Sequence, residues 1–239
     1  LEFRRVLFRS EMELTMYDKL LQLPLFQGMS KFDFTDILEK VKIHFNKYEP
    51  GSCLVRQDTP CNQLIFVLDG EVQIESNDKT HKYTLWENFK SPNVIEPYSL
   101  FGMRPYFTAS YTAVTEVNTL NIDKSYILNE LCRYEVFNLN YMNMLSNRSQ
   151  VIYNKLWNSH IGKTRDKIIN FLLLRCMTPY GAKKLSIRME DLARLIDDTR
   201  INVSNVLNDL QNRGLIQLGR RTFSIPELRE VVLLLDKKD

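Results

Sequence analysis

The sequence predicts an α+β fold in three parts: a jelly-roll-like antiparallel β-roll, one long helix, and a C-terminal winged helix-turn-helix. Short apolar–polar alternations separated by turn residues occupy residues 43–123, which is typical of a compact antiparallel barrel or roll. Helical periodicity then runs over residues 135–160 without Pro or Gly. Residues 185–225 indicate a helix, a tight turn, a second helix and a small β-hairpin.

The first ten residues, LEFRRVLFRS, are predicted to be a non-native segment, because they match the in-frame translation of a common sequencing adapter. A genuine basic N-terminus and a signal peptide are the alternatives, but residues 11–20 lack the long apolar segment of a signal peptide. Natural translation is then expected to start at Met12 or Met16. The rest of the chain is predicted to form three consecutive regions: a β-roll domain at 11–134, a long helix at 135–162 and a winged helix-turn-helix domain at 163–239.

The charge of the chain is unevenly distributed, although its formal net charge is only +3. Residues 11–146 carry a net charge of −6, whereas residues 147–239 carry +7. A basic C-terminal part joined to an acidic N-terminal part fits a polyanion-binding domain fused to a sensor. The asymmetry therefore favours nucleic acid as a partner of the C-terminal part.

The apolar runs and the cysteines indicate a cytoplasmic protein. No apolar run approaches the length of a membrane span, so we expect no membrane partner. The four cysteines lack CxxC spacing and are expected to stay reduced thiols. The three histidines are far apart, and no cysteine cluster lies near the N-terminus, so we expect neither a metal site nor another cofactor.

Turn residues divide the β-roll region into its strands. Asp69-Gly70, flanked by FVL and EVQI, predicts a β-hairpin. No nucleophile–base set, Gly-rich phosphate loop or carboxylate pair is recognisable, so no catalytic residue and no enzyme activity are expected.

The long helix has an apolar seam that admits two interpretations. The seam could form a two-stranded coiled-coil dimer, or it could pack on the β-roll of its own chain. We prefer the dimer, because a two-fold symmetric protein matches palindromic DNA. The seam residues are Phe137, Tyr141, Met144, Leu145, Arg148, Val151, Ile152 and Leu156.

Two amphipathic helices near the C-terminus predict a DNA-binding motif. The first has an apolar stripe of Met189, Leu192, Ala193, Leu195 and Ile196, and the second has one of Val203, Val206, Leu207 and Leu210. Only Asp197-Asp198 separates the two patterns, so the helices must cross sharply. That geometry offers the N-terminal half of the second helix to a DNA major groove, which points to transcriptional control.

The order of these parts resembles the Crp/Fnr family of bacterial transcription regulators over residues 17–235. Pro50-Gly51 followed by Gln63-Leu-Ile-Phe-Val-Leu-Asp-Gly-Glu-Val is similar to the family's cyclic-nucleotide-fold signature. Asp191-Leu-Ala through Thr199-Arg200, Val203-Ser204 and Gly214-Leu-Ile resembles the family's DNA-binding helix and wing. The resemblance implies a homodimer that binds an inverted repeat in double-stranded DNA and contacts RNA polymerase.

The resemblance also implies which residues contact DNA. The family's base-contacting positions align with Arg200, Ile201 and Asn205. The candidates for phosphate contacts are Thr199, Asn202 and Ser204 on the second helix, with Arg220 and Arg221 at the wing. An alternative is that Arg200 forms a salt bridge with Asp197 or Asp198, and that the wing is only a solvated turn.

Three residues depart from the family's pattern in the DNA-binding motif. Ile201 stands where Glu is common, and Asn205 stands where a second Arg is common. Ile201 could contact a thymine methyl group but could not accept a hydrogen bond from cytosine. Asp197 replaces the usual Gly of the turn, and Asp tolerates the left-handed conformation better than most residues.

The β-roll departs from the family members that bind cyclic AMP. Glu96 aligns with the Glu that binds the ribose hydroxyl in those proteins, and Phe107-Thr108 falls where their Arg-Ser/Thr stands. Without the arginine, a buried phosphate would have no cationic partner. We therefore expect an effector pocket near Glu96, Phe107 and Thr108 that takes an unidentified small molecule rather than cyclic AMP, if any effector is needed. A protein of this fold that senses a small molecule but has weak or lost DNA binding is the alternative function.

Overall fold

The computed structural model describes residue 21, residues 23–158 and residues 162–236, without the side chains of Lys155, Asn158 and Asp236. The ten N-terminal residues that we interpret as an adapter translation lie outside the described residues. The chain divides into two compact units. The first comprises Leu1–Val72, Lys90–Thr108 and Thr112–Arg148, and the second comprises Gln73–Phe89, Ala109–Tyr111 and Ser149–Asp239. The domain boundaries read from the sequence stay a prediction.

The predicted β-roll is confirmed as eight strands preceded by a short helix. Helix α1 spans Lys31–Lys40 and begins at Ser30, whose hydroxyl accepts a hydrogen bond from the backbone N–H of Asp33. The strands are β1 (Ile43–Tyr48), β2 (Cys53–Val55), β3 (Gln63–Asp69), β4 (Glu71–Asp78), β5 (Tyr83–Lys90), β6 (Asn93–Ile95), β7 (Ser110–Ala113) and β8 (Val117–Asp123). A helix α2 (Lys124–Asn129) follows the last of them.

The first unit contains a four-stranded antiparallel sheet in the order β1-β8-β3-β6. One face of this sheet packs against aromatic side chains from the segments that flank it in sequence. The ring centroid of Phe26 lies 5.2 Å from that of Phe66 on β3 and 5.9 Å from that of Phe137. All three side chains are buried. Aromatic burial of this kind dominates the stability of a core.

The hairpin predicted at Asp69-Gly70 is wrong, although the chain does turn there. Strand β3 pairs with β6 and β8, whereas β4 lies between β5 and β7 in another sheet. Gly70 has a φ of 98°, and a Cβ at this position would lie 2.3 Å from the carbonyl oxygen of Glu116. A glycine is therefore required where the chain passes tightly from one sheet to the other. The Asp-Gly signature predicts a two-residue turn, but it does not show whether the flanking strands pair as a hairpin or join different sheets.

The long helix α3 spans Glu135–Asn158. The first part of the predicted seam packs on the β-roll of its own chain, because Phe137 and Tyr141 are buried and the Tyr141 hydroxyl donates to the carbonyl of Pro97. Burial raises the pKa of this hydroxyl well above the ordinary value for tyrosine. The C-terminal seam residues Val151, Ile152 and Leu156 are exposed instead. Four apolar residues of α3 outside the predicted seam are also exposed: Leu139, Met142, Tyr153 and Trp157.

The predicted winged helix-turn-helix is confirmed in the second unit. Its elements are α4 (Thr164–Arg175), β9 (Lys183–Ser186), α5 (Met189–Leu195), α6 (Arg200–Asn212), β10 (Gln217–Gly219), β11 (Thr222–Ile225) and α7 (Leu228–Asp236). Val203, Leu207 and Leu210 of α6 are buried with Leu192 of α5 in one apolar core, as the periodicity predicts. Strands β10 and β11 pair antiparallel to form the wing.

Strand β9 is an element that the sequence patterns did not reveal. It pairs antiparallel with β11 on one side and with β5 on the other, with Leu85 opposite Leu185. Both leucines are buried in the core of the second unit. The wing sheet therefore continues through β9 into the hairpin of β4 and β5.

A buried ion pair lies at the end of the β5–β9 ladder. The Lys183 ammonium is 2.7 Å from the Glu87 carboxylate, and both side chains are almost fully buried. Lys183 also donates to the hydroxyl of Thr178, and Glu87 accepts from the backbone N–H of Met177 at 2.7 Å. Since each charge has a partner and further hydrogen bonds, the pair can exist away from water.

Candidate nucleic-acid interface

The turn between α5 and α6 is formed by two aspartates with different roles. Asp197 has a φ of 52°, so it occupies the left-handed conformation that the sequence predicts for this position. Asp198 accepts hydrogen bonds from the Thr164 hydroxyl at 2.7 Å, from the Asn202 side-chain amide at 2.8 Å and from the backbone N–H of Thr199. These donors, the Thr164 hydroxyl foremost, hold the pKa of the Asp198 carboxyl below its ordinary value.

Helix α6 begins at Arg200 and is capped by Thr199, whose hydroxyl accepts a hydrogen bond from the backbone N–H of Asn202 at 3.2 Å. The Asn202 side chain in turn donates to Asp198. Two of the predicted phosphate-contacting side chains therefore already serve the N-terminus of the helix. A hydroxyl that accepts in a cap still has its own proton to donate, so Thr199 can serve both purposes.

The three predicted base-contacting residues lie on the exposed face of α6. The Arg200 side chain is 68% exposed, and Ile201 is 72% exposed. Asn205, one turn further along, is also exposed, while Ser204 beside it is half-buried. Contact of the Ile201 side chain with an apolar group of a partner would be favourable, because it removes apolar surface from water.

Arg200 has a partner that the sequence reasoning missed. Its Nε atom lies 3.1 Å from a carboxylate oxygen of Glu190, the second residue of α5. The expected alternative, a salt bridge with Asp197 or Asp198, is not the contact that the structure shows. An acidic residue in the first turn of a helix is ordinarily explained by the helix dipole, so the sequence offered no signal of a contact with Arg200.

The wing carries the other two predicted residues, Arg220 and Arg221. Both are exposed and connect β10 to β11, and Arg221 has a φ of 59°. A cleft of about 450 Å³ lies between the wing and the start of α6, and its lining includes Arg188, Glu190, Arg200 and Arg221. The structure thus brings the wing and the helix that is predicted to contact bases to one basic surface of the second unit.

The predicted effector-pocket residues come together in the first unit. Glu96 is fully buried and accepts hydrogen bonds from the Thr108 backbone N–H at 2.8 Å, from the Thr108 hydroxyl at 2.9 Å and from the Ser99 hydroxyl at 2.7 Å. Phe107 is buried beside them in sequence. The carboxylate is thus engaged by groups of its own chain, in a position where the family's cyclic-AMP-binding members use it for the ligand.

No disulfide joins the four cysteines, all of which lie in the described part of the chain. The Cys61 thiol is buried, and burial raises its pKa to about 11, with a smaller contribution from the nearby Glu96 carboxylate. Among the described residues, no three His, Cys, Asp or Glu side chains are grouped so that they could hold a metal ion. None of the helices in the described ranges is long and apolar enough to cross a membrane.

Comparison with known proteins matches two parts of the chain to family models. A model of the cyclic nucleotide-binding domain matches residues 45–134, and a model of the Crp-like helix-turn-helix domain matches residues 166–231. The chain belongs to the Crp/Fnr family. Members of this family are transcription regulators whose helix-turn-helix binds DNA, and the resemblance drawn from the sequence is confirmed.

Individual relatives of this Crp/Fnr-family regulator are distant in sequence. The anaerobic regulatory protein of Bacillus subtilis (strain 168) is 20% identical over 193 residues, which cover 78% of this chain and 80% of the relative. The crystal structure of the Thermus thermophilus catabolite activator protein is 22% identical, with a TM-score of 0.51, and the match covers 89% of this chain and 97% of that one. The likeness to the Thermus thermophilus structure shows that the two chains share a fold.

Proposed function

We propose that this Crp/Fnr-family regulator is a homodimer that reads an inverted-repeat operator through the N-terminal half of α6. The observation that carries the proposal is the exposure of Arg200, Ile201 and Asn205 on the face of α6 opposite its buried apolar residues. The net charge of +7 on residues 147–239 supports association with a polyanion. The protein performs no catalytic step in this proposal.

The exposed residues of α6 have distinct chemistry toward base edges. The terminal nitrogens of Arg200 can bind the O6 and N7 atoms of guanine, and the amide of Asn205 can bind the N6 and N7 atoms of adenine. Ile201 can pack on a thymine methyl group. Phosphate contacts fall to Thr199, Asn202 and Ser204 on the helix and to Arg220 and Arg221 on the wing, which fix the register without reading sequence.

The exposed apolar side chains of α3 support the dimer. Leu139 and Met142, and two heptads later Tyr153 and Leu156, fall at a and d positions of one coiled-coil register, and the a and d positions between them are Ser146 and Ser149. Each of the four apolar side chains is at least half exposed in the single chain. An apolar stripe of this kind is expected to be covered by a second copy of the helix. The seam read from the sequence is offset from this stripe, because part of it packs on the β-roll.

We further propose that the β-roll does not bind cyclic AMP. Phe107 offers no cation to a phosphate, and Glu96 is already bonded to Ser99 and Thr108. A different small molecule could act on the roll and shift the dimer between two arrangements. The site of action is the cytoplasm, where the operator and RNA polymerase would both be met.

Selection from a random DNA library with purified protein, at fixed salt and without added ligand, tests the proposal. We expect an enriched inverted repeat, and Arg200→Ala should relax one base position in each half-site by about 1–3 kcal/mol. Titration with cyclic AMP should change neither the affinity for this repeat nor the melting temperature. A folded dimer that enriches no repeat, alone or with cell extract, would favour the alternative of a sensor that has lost DNA binding.

A further inference from the structure

The contact between Glu190 and Arg200 joins two elements of the helix-turn-helix. Glu190 belongs to α5 and Arg200 is the first residue of α6, and their charged atoms are 3.1 Å apart. Both side chains are more than half exposed. An ion pair this exposed adds little stability to the folded protein, so stability is a weak reason for the carboxylate at this position.

The charges around Glu190 make it unusual on this surface. The cleft between the wing and α6 is lined by Arg188, Arg200 and Arg221, and Glu190 lies among them. A carboxylate here lowers the attraction of the surface for DNA phosphates. If phosphate attraction alone governed this surface, Glu190 would be unfavourable. Two interactions offset this cost: one with the N-terminus of α5, where an acidic side chain is favourable, and the contact with Arg200.

The atoms that make the contact indicate what that effect is. Arg200 uses Nε toward Glu190, while reading of guanine requires two parallel donors from one edge of the guanidinium, which its terminal nitrogens supply. A free arginine side chain samples many rotamers, and part of that conformational entropy is lost when it docks on a base.

We propose that Glu190 is a positioning residue that orients the guanidinium of Arg200 and thereby sharpens the base preference of the protein at one position of each half-site. This inference rests on the proposed function, since it requires Arg200 to read a base. Glu190 itself need not touch DNA. Its role is to fix the side chain that does.

The test measures discrimination, which is the ratio of affinities for the selected operator and for the operator changed at the Arg200-dependent position. We expect Glu190→Ala to lower this ratio by about three- to tenfold, while affinity for unrelated DNA stays equal or rises. Glu190→Gln should retain most of the discrimination, because its amide oxygen still accepts from Nε. In an Arg200→Ala background, Glu190→Ala should leave the ratio unchanged.

A matched control is available on α6, the helix that carries Arg200. Asp209 pairs with Arg213 at 3.0 Å, and both side chains are about half exposed, at the other end of α6. Asp209→Asn removes one negative charge from the same domain and should leave the ratio unchanged. Thermal melting of each variant establishes that the fold is retained.

Two outcomes would contradict the inference in distinguishable ways. Unchanged discrimination in Glu190→Ala, with tighter binding of all DNA, would mean that Glu190 acts only as a repulsive charge. If the wild-type protein enriches no repeat, or if Arg200→Ala relaxes no position, the proposed function fails and the inference fails with it.

Discussion

Asp197 occupies the turn of the DNA-binding motif in a conformation that costs an ordinary L-residue free energy. We expect Asp197→Gly to be neutral or stabilising, because glycine adopts this φ without steric strain. Asp197→Val should lower the free energy of unfolding by about 1–2 kcal/mol, because a β-branched residue clashes there. Urea denaturation of the three proteins measures both effects, and equal stabilities would contradict the role of backbone strain.

Asp198 gives a pH-dependent contribution to stability through the three groups that donate to its carboxylate. Its folded-state pKa is lowered, so the contribution is present above the unfolded pKa of about 3.9 and is lost as the pH falls through the folded value. We expect Asp198→Asn to lower the free energy of unfolding by about 1–2 kcal/mol at pH 7.

The difference between Asp198→Asn and the wild type should shrink as the pH approaches 3, because the wild-type carboxyl then takes up a proton. Denaturation curves at a series of pH values measure it. A difference that is independent of pH would mean that the lost free energy does not come from the charged carboxylate. Asp209→Asn, at an exposed aspartate of the same unit, is the control.

Periodicity was sufficient to predict most single-residue features of the interface. The inward positions of Val203, Leu207 and Leu210 follow from a 3.6-residue repeat, and the exposure of Arg200 and Ile201 follows from the same repeat. The contact with Glu190 could not be predicted in this way, because it depends on how α5 and α6 cross. The apolar periodicity of one helix does not indicate which residue of a neighbouring helix its side chains contact.

At the scale of elements, the β5–β9 ladder shows why strand pairing is harder to predict than helices. The two strands are separated by more than ninety residues in sequence, and neither has a partner-specific signature. The Asp69-Gly70 turn shows the converse problem, since its local signature was clear but the flanking strands joined different sheets. Local turn chemistry specifies that the chain reverses, and tertiary packing determines with which strand it pairs.

The buried pair of Glu87 and Lys183 should be the most sensitive ion pair of the second unit. Lys183→Met leaves the Glu87 carboxylate buried without its cation, so we expect the free energy of unfolding to fall by about 3–5 kcal/mol. Adding Glu87→Gln to this variant should recover part of the loss, because the buried charge is then removed.

Chemical denaturation of the single and double variants checks this prediction. Arg213→Met removes the cation of the exposed pair with Asp209 and should cost less than about 1 kcal/mol. If Lys183→Met and Arg213→Met lowered the free energy of unfolding equally, burial would not make the loss of a partner cation more costly.

At the scale of the whole molecule, α3 supplies the surface on which the proposed dimer depends. Met142→Glu and Leu156→Glu place a charge on the exposed apolar stripe, so we expect the sedimentation mass to fall from that of two chains to that of one. Loss of the dimer should weaken binding to an inverted repeat, while the affinity for a single half-site should change little.

Asn147→Glu is the matched control, because Asn147 is exposed on α3 outside the apolar stripe. It should leave the sedimentation mass unchanged. A dimer that persists in both charged variants would mean that another surface holds the two chains together.

The pairing of β9 with β5 also determines how this regulator can be divided or recombined. The hairpin at residues 73–89 packs with the C-terminal residues, so the second unit is not one continuous stretch of chain. A fragment or a gene fusion that takes only the residues after about 149 would lack β5 and leave β9 as an exposed sheet edge, which is prone to aggregate. A hybrid regulator that takes its DNA-binding half from this protein must therefore carry the hairpin with it, even though the hairpin is encoded within the other half.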